Sequence, residues 1–232
     1  IAMIKSGYNV LVEKPMALSH MDCLEMMNYA ENYNKRLFVV KQNRFNLPIT
    51  ALRDALDSGR FGKLSLGTIR VRWCRHQPYY DADSWRGTWA FDGGVIANQA
   101  SHHIDLLEWM MGDIESVFAK SINALAKIEA EDTAIATIKF KNGALGLIEA
   151  TTATRPIDLE GSLSILGESG TVEVSDCMMV IFKWAAKYAC LLGCMRDVRA
   201  RCTPPLQGAS LGLAKYTVVC EVRQVGCRCE RA

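Results

Sequence analysis

No stretch of this 232-residue chain approaches the ~20 consecutive apolar residues that a membrane-spanning helix needs, so no membrane partner is expected. No leader-like pattern is visible. The body of the chain, with two cysteines in 176 residues, needs no disulfide scaffold, so a reduced, cytoplasmic location is expected. No Cys-x-x-Cys pair occurs, which removes the usual zinc and redox motifs. Charge of one sign is missing too. Against 27 Lys+Arg stand 25 Asp+Glu, a net charge of +2, too little to draw nucleic acid to the chain as a whole. There are no internal repeats and no Gly-x-Ser-x-Gly elbow of a serine hydrolase. No two of the 17 glycines are spaced as Gly-x-Gly, so the turn that cradles a dinucleotide's phosphates is absent.

What is present divides unevenly. Half of the residues are hydrophobic, enough for one large core or two small ones. Cys23 and Cys74 stand alone in the first 176 residues, whereas seven cysteines crowd the last 56. Those 56 carry nine Lys/Arg and three acids, leaving the first 176 with eighteen basic and twenty-two acidic residues, a net charge of −4. Two independent statistics break at one place, as they would at a join between unlike segments or after a shift of reading frame. The chain also opens at Ile1 within a helical pattern (Ile1, Ala2, Met3, Ile4, then Gly7), and it is expected to be a fragment.

Tyr8–Glu13 and Arg36–Val40 are short apolar runs of buried-strand type. Between them Ser19 can cap a helix containing Leu24, Met27, Tyr29 and Ala30. Strand, helix, strand at this length predicts a parallel βαβ unit. Pro48 suits the first turn of a further helix, closed by Ser58-Gly59. From Gly62 the pattern changes. Leu64–Trp73, Ile114–Ala126, Thr133–Phe140, Ala144–Thr154 and Leu159–Leu166 are strand candidates, with turns at Lys141-Asn142-Gly143 and Glu168-Ser169-Gly170. Short turns predict an antiparallel sheet, interrupted by one helix from about Gly93 to Met111. A domain boundary is expected near residues 43–48. After Cys177 no periodicity persists, although 184–192 has some helical character.

Lys14 follows an apolar strand and precedes Pro15, which places its ammonium at the carboxyl edge of a sheet, where α/β folds bind ligands. Asn98, His102 and Asp105 would share one face of the predicted helix. An imidazole there can act as a general base. His103 points elsewhere, and that divergence also argues against a metal held by His102, His103 and Asp105, so no metal is expected. The loop between strand and helix holds His76, Tyr79, Tyr80, Trp85, Arg86 and Trp89. Arg86 offers a fork suited to phosphate and Trp85 a stacking face. Gln42 and Arg44 follow the second strand and can face the same crevice. Thr151–Arg155 carries hydroxyls and one guanidinium suited to an anionic ligand.

These residues resemble a known family. Glu13-Lys14-Pro15, Gly93-Gly94 and His102-x-Ile104-Asp105-Leu106-Leu107 are similar to the glucose–fructose oxidoreductase / inositol dehydrogenase / MocA family, abbreviated Gfo/Idh/MocA, over about residues 1–175. Within it, Asn43–Asn46, Arg70–Arg75, Trp85–Trp89, Asn98–Asp105 and Glu149–Pro156 resemble the WlbA-type enzymes that oxidise UDP-N-acetyl-2-amino-2-deoxyglucuronate at C3. The resemblance implies an α/β remnant of a Rossmann domain over 1–45. It implies an α+β domain over 46–176 with an open-faced, mainly antiparallel sheet that binds substrate and assembles homo-oligomers. Most of the nucleotide domain would precede Ile1. Residues 177–232 bear no likeness to the family, and their composition leads to the expectation of an atypical cysteine-rich, basic tail, disordered rather than regular.

The implied chemistry is NAD- or NADP-dependent oxidation of a nucleotide sugar, with Lys14 and His102 catalytic. Glu13, Lys14, Pro15, Gln42, Trp85 and Arg86 would meet the cofactor, and Arg44, Asn98, Gln99 and Arg155 the substrate. Many members carry Asp where this chain has Asn98, which disfavours polyols. The alternatives are a fragment that keeps only the substrate-domain scaffold and a different sugar or inositol dehydrogenase.

Overall fold

A computed structural model describes residues 1–175 and, beyond them, three strands at 179–184, 200–202 and 216–221. The chain begins with helix α1 (Ala2–Lys5), strand β1 (Val10–Val12), helix α2 (His20–Asn32) and strand β2 (Leu37–Val39). β1 and β2 pair in parallel, Val10 opposite Leu37 and Val12 opposite Val39, as the βαβ reading expects. Ser19 caps α2: its hydroxyl accepts from the Asp22 amide at 3.0 Å, and such a cap contributes about 1 kcal/mol.

A 3-10 helix (Gln42–Phe45) leads into α3 (Leu47–Asp57), with Pro48 in its first turn and Ser58 at its C-cap. Then come β3 (Leu64–Arg72), the short α4 (Gln77–Asp81), α5 (Ser101–Met111), β4 (Ile114–Ile122), β5 (Thr133–Phe140), β6 (Leu145–Thr151), β7 (Glu160–Gly167) and β8 (Gly170–Ser175). β9 (Met179–Trp184), β10 (Ala200–Cys202) and β11 (Tyr216–Glu221) complete one sheet in the order β10-β11-β9-β8-β7-β3-β6-β5-β4. The expectation of a tail without regular structure fails at these three strands, and the helical reading of 184–192 fails at Trp184, which ends one of them; the other residues of that reading lie outside the described ones. Among the described residues no helix is long and apolar enough to cross a membrane.

The sheet is mainly antiparallel with one exception. β3 runs parallel to β6, Leu66 opposite Leu145 through Arg72 opposite Thr151, and antiparallel to β7. Alternation along the strands sends Ile69, Val71, Ala136, Ile138, Ile148, Leu163 and Ile165 to one side, where α3 and α5 cover them with Ile49, Leu52, Leu106, Leu107 and Met111. Burying each large aliphatic side chain contributes about 1.5–3 kcal/mol. Gly67 sets the spacing of that layer: a Cβ there would stand 2.7 Å from the Met111 side chain and 2.8 Å from that of Leu107. The opposite face is open. It carries Ile135, Leu145 and Leu147, all exposed, beside the ion pairs of Arg72 with Glu149 (2.6 Å) and Glu160 (3.2 Å) and of Arg70 with Glu160 (3.2 Å) and Glu173 (3.3 Å).

Element boundaries differ most from expectation at two places, while β1 and β6 are shorter by a few residues than expected. The helix expected from Gly93 starts only at Ser101. Gly93 has φ +67°, and the next amides leave the helical ladder: Val95 donates to the Glu131 carbonyl at 2.9 Å and Ile96 to the Glu131 carboxylate at 3.2 Å. The strand expected to reach Ala126 stops at Ile122 because Asp132 accepts the amides of Ala124, Leu125 and Ala126 at 2.7–2.8 Å.

Candidate active site

Three elements deliver side chains to one place. Lys14 follows β1, Asn98 lies on the irregular turns before α5, and His102 is in the first turn of α5. The Lys14 ammonium donates to the Asn98 backbone carbonyl and to Asn98 Oδ1, both at 3.1 Å, across 84 residues of sequence. Asn98 therefore reaches the lysine from a turn rather than from the same helical face as His102. Lys14, Pro15, Met16, Val39, Lys41, Arg44, Phe45, Ser101 and Asp105 line an open crevice of about 550 Å³. Ser101 and Asp105 bracket His102, so the crevice joins the parallel edge to α5.

Burial pushes the Lys14 pKa below the ordinary lysine value, with Lys41 acting the same way and Asp92 and Glu13 opposing. Burial likewise lowers the His102 pKa, reinforced by Lys14 and Lys41 and opposed by Asp105 and Glu13. His102 is therefore neutral near pH 7. Its Nδ1 atom is buried without a hydrogen-bond partner among the described residues. A neutral imidazole whose titration feels the Lys14 ammonium has the chemistry of a proton-transfer group.

The remaining candidates fall into two groups. Arg86 donates to Tyr79 Oη at 2.8 Å and to Asp83 at 2.9 Å, and stacks over Trp85 and Tyr79 at 4.4 Å each. Gln99, buried, donates to the same Tyr79 hydroxyl at 3.3 Å, which links the Trp85-Arg86 loop to the residue beside Asn98. Trp85 is 40% exposed, with the Arg86 guanidinium over its ring. Glu13 and Gln42 are exposed at the ends of the parallel pair and outside the crevice lining.

Two guanidiniums are already engaged. Arg44 binds Asp105 through two hydrogen bonds, at 2.8 and 2.7 Å, and lies over the Trp109 ring. It lines the crevice as part of a clasp. Arg155 donates to the carbonyls of Thr152 (3.1 Å), Arg75 (3.1 Å) and Thr154 (2.6 Å), and the structure does not bring it to the crevice. Sequence reasoning missed Asp92, buried beneath Asn98, and Lys41, which lies 3.7 Å from Asp105. Neither follows a periodic pattern. The only signal was an acid beside Gly93-Gly94 in a loop otherwise rich in aromatics.

The sequence signature of the GFO/IDH/MocA C-terminal domain matches residues 49–173. The WlbA dehydrogenase of Bordetella pertussis, solved in complex with NADH and UDP-GlcNAcA, superposes with a TM-score of 0.74 at 45% identity; the match covers 76% of this chain and 53% of that one. The 1-carboxy-3-chloro-3,4-dihydroxycyclohexa-1,5-diene dehydrogenase of Comamonas testosteroni is 34% identical over 147 residues, 60% of this chain and 35% of its own length. The myo-inositol 2-dehydrogenase of Thermotoga maritima is 29% identical over 154 residues, 64% of this chain and 44% of its own. The chain thus spans between about a third and about half of these relatives. With more than half of its residues under one family signature and its fold shared with a solved dehydrogenase, the chain belongs to the Gfo/Idh/MocA family.

Proposed function

We propose that this chain supplies the substrate side of an NAD-dependent dehydrogenase acting on a UDP-linked N-acetylamino sugar uronate, which it oxidises at C3 to the 3-keto sugar. The observation that carries this reading is the convergence of Lys14 and the His102 helix on one crevice, in a chain 45% identical to a dehydrogenase solved with NADH and UDP-GlcNAcA. His102, held neutral, takes the proton of the C3 hydroxyl. Lys14 donates a hydrogen bond to that oxygen and stabilises the charge that develops as the C–H bond breaks. When bound, the oxidised nicotinamide supplies the acceptor for the hydride from C3. Glu13, Lys14, Pro15 and Gln42 would hold it from the parallel edge, and Trp85 and Arg86 from the loop opposite. Asn98, Gln99 and Arg44 would position the sugar, with Arg155 further out toward the nucleotide. NAD is the cofactor of this reading and NADP its variant.

A second copy of the chain fits the open sheet face, whose exposed Ile135, Leu145 and Leu147 adjoin balanced ion pairs. A rival reading, oxidation of a free sugar or inositol, is favoured by the 29% identity to the myo-inositol 2-dehydrogenase.

Titrating the purified chain with NADH and following nicotinamide fluorescence tests the proposal, together with absorbance assays using NAD and either UDP-GlcNAcA or myo-inositol. Binding with turnover of the nucleotide sugar is expected. Turnover of myo-inositol alone would replace the substrate assignment, and absence of NADH binding would leave a substrate-domain scaffold.

A further inference from the structure

The reading above leaves one buried carboxylate unused. Asp92, 6% exposed, sits on the turn before Gly93. Its Oδ2 accepts the Gly87 amide at 2.6 Å, and its Oδ1 accepts from Asn98 Nδ2. Asn98 Oδ1 in turn accepts from the Lys14 ammonium at 3.1 Å. A side-chain amide that donates on one side has only its oxygen to offer on the other. A carboxylate at 92 can only accept, so it selects the orientation of Asn98 in which the oxygen faces Lys14. The second oxygen adds a tether. Gly87 has φ +67°, and a Cβ there would stand 2.7 Å from Ile128, so the Trp85–Trp89 loop passes Asp92 on a backbone path that only glycine adopts without strain.

The geometry points to Asp92 as a positioning residue: it holds the Asn98 amide oxygen-first toward Lys14 and ties the Trp85–Trp89 loop to the same lysine. The inference rests on the dehydrogenase reading for the use made of Lys14, but not for the arrangement itself. An asparagine at 92 could accept only one of the two N–H donors. Asn98 would then be free to turn its NH₂ toward the ammonium, and Lys14 would lose an acceptor as well as a nearby negative charge. Both losses disfavour the protonated amine. The charged groups around Lys14 are Asp92 and Glu13, which favour the ammonium, Lys41, which opposes it, and nearby His102, whose imidazole feels the lysine.

The test measures Lys14 directly on the full chain. The protein is acylated with acetic anhydride over a range of pH, and modification of the Lys14 peptide is read by mass spectrometry. In Asp92→Asn the pH midpoint of Lys14 reactivity is expected to fall by at least about half a unit, equivalent to about threefold more free amine at neutral pH. Asp54→Asn, a change at an exposed acid on α3, is expected to leave it in place. An unchanged midpoint in a folded Asp92→Asn protein would overturn the assignment. If circular dichroism shows that this variant does not fold, Asp92→Ser carries the same test: a lowered midpoint supports the assignment, and an unmoved one sinks it. The labelling needs neither cofactor nor sugar. A negative result removes Asp92 from the site without touching the dehydrogenase reading, and failure to bind NADH removes that reading without touching Asp92.

Discussion

Arg44 and Asp105 form a two-pronged ion pair, Nε and Nη2 of the guanidinium each donating to one carboxylate oxygen at 2.8 and 2.7 Å. Arg44 belongs to the 3-10 helix after β2, and Asp105 lies on α5 one turn from His102. The pair therefore fastens the parallel-strand unit to the helix that carries the candidate base. Asp105 is nearly enclosed, its side chain 11% exposed, and the Trp109 ring lies 4.9 Å from the guanidinium. Asp105→Asn keeps the shape but loses the charge, and is expected to cost about 1–3 kcal/mol of stability in urea unfolding. Arg44→Lys, with no fork to offer, is expected to lose a similar amount. Full retention of stability in both variants would show that the clasp is ornamental.

The two proposed catalytic groups have separable signatures. Lys14→Met and His102→Ala are each expected to reduce turnover of the nucleotide sugar by about 10²–10⁴-fold, the range for one proton-transfer group. His102→Ala is expected to leave the affinity for NADH within about threefold, because binding and proton transfer are separate contributions. A loss of cofactor affinity equal to the loss of rate would place His102 in binding instead.

Acid should act on the same imidazole. Burial first, then Lys14 and Lys41, hold the His102 pKa below its ordinary 6.5. As pH falls from that value, the unfolded chain takes up the proton before the folded one does, so this residue makes the fold progressively less stable until the folded pKa is passed. Above 6.5 it contributes no such penalty. The His102 ring resonances should titrate with a midpoint under 6.5, and kcat/KM should already have reached its plateau by neutral pH. A midpoint at or above the ordinary value would contradict the environment described for the site.

Packing at Gly67 offers a test of the core alone. Gly67→Ala places a methyl against Met111 and Leu107, and is expected to cost about 1–3 kcal/mol by overpacking. Leu107→Ala in the same layer is expected to cost about 2–5 kcal/mol. On the outer face, Leu147→Asp should leave urea stability nearly unchanged but lower the mass measured by light scattering. An unchanged mass would argue against a second copy on that face.

Much of this was legible from the residues. The Asn142-Gly143 turn and the alternation in Thr133–Phe140 located a hairpin, because such signals depend only on neighbouring residues. Ser19 announced its helix for the same reason. The placement of Lys14 after a strand and of His102 on a helix was legible, because apolar runs and helical spacing are local signals. What failed depended on distant partners. The early start assigned to α5 ignored Glu131, 35 residues beyond Ile96, whose carboxylate and carbonyl draw two amides out of the helix. The overlong β4 ignored Asp132. The engagement of Arg44 and Arg155 was invisible because a guanidinium looks equally available whether its partner is a ligand, a carboxylate or a backbone carbonyl.

The parallel pairing of β3 with β6 has a consequence for the order of assembly. Leu66 meets Leu145 only after about eighty intervening residues have been made, and the other neighbour of β3, β7, comes later still. The middle of the sheet cannot zip outward from a hairpin, whereas β4, β5 and β6 can. During synthesis the β3 ribbon, with Ile69 and Val71 on one side, waits with both edges bare until the second half of the chain emerges from the ribosome. Any chaperone that attends this protein has that interval in which to act.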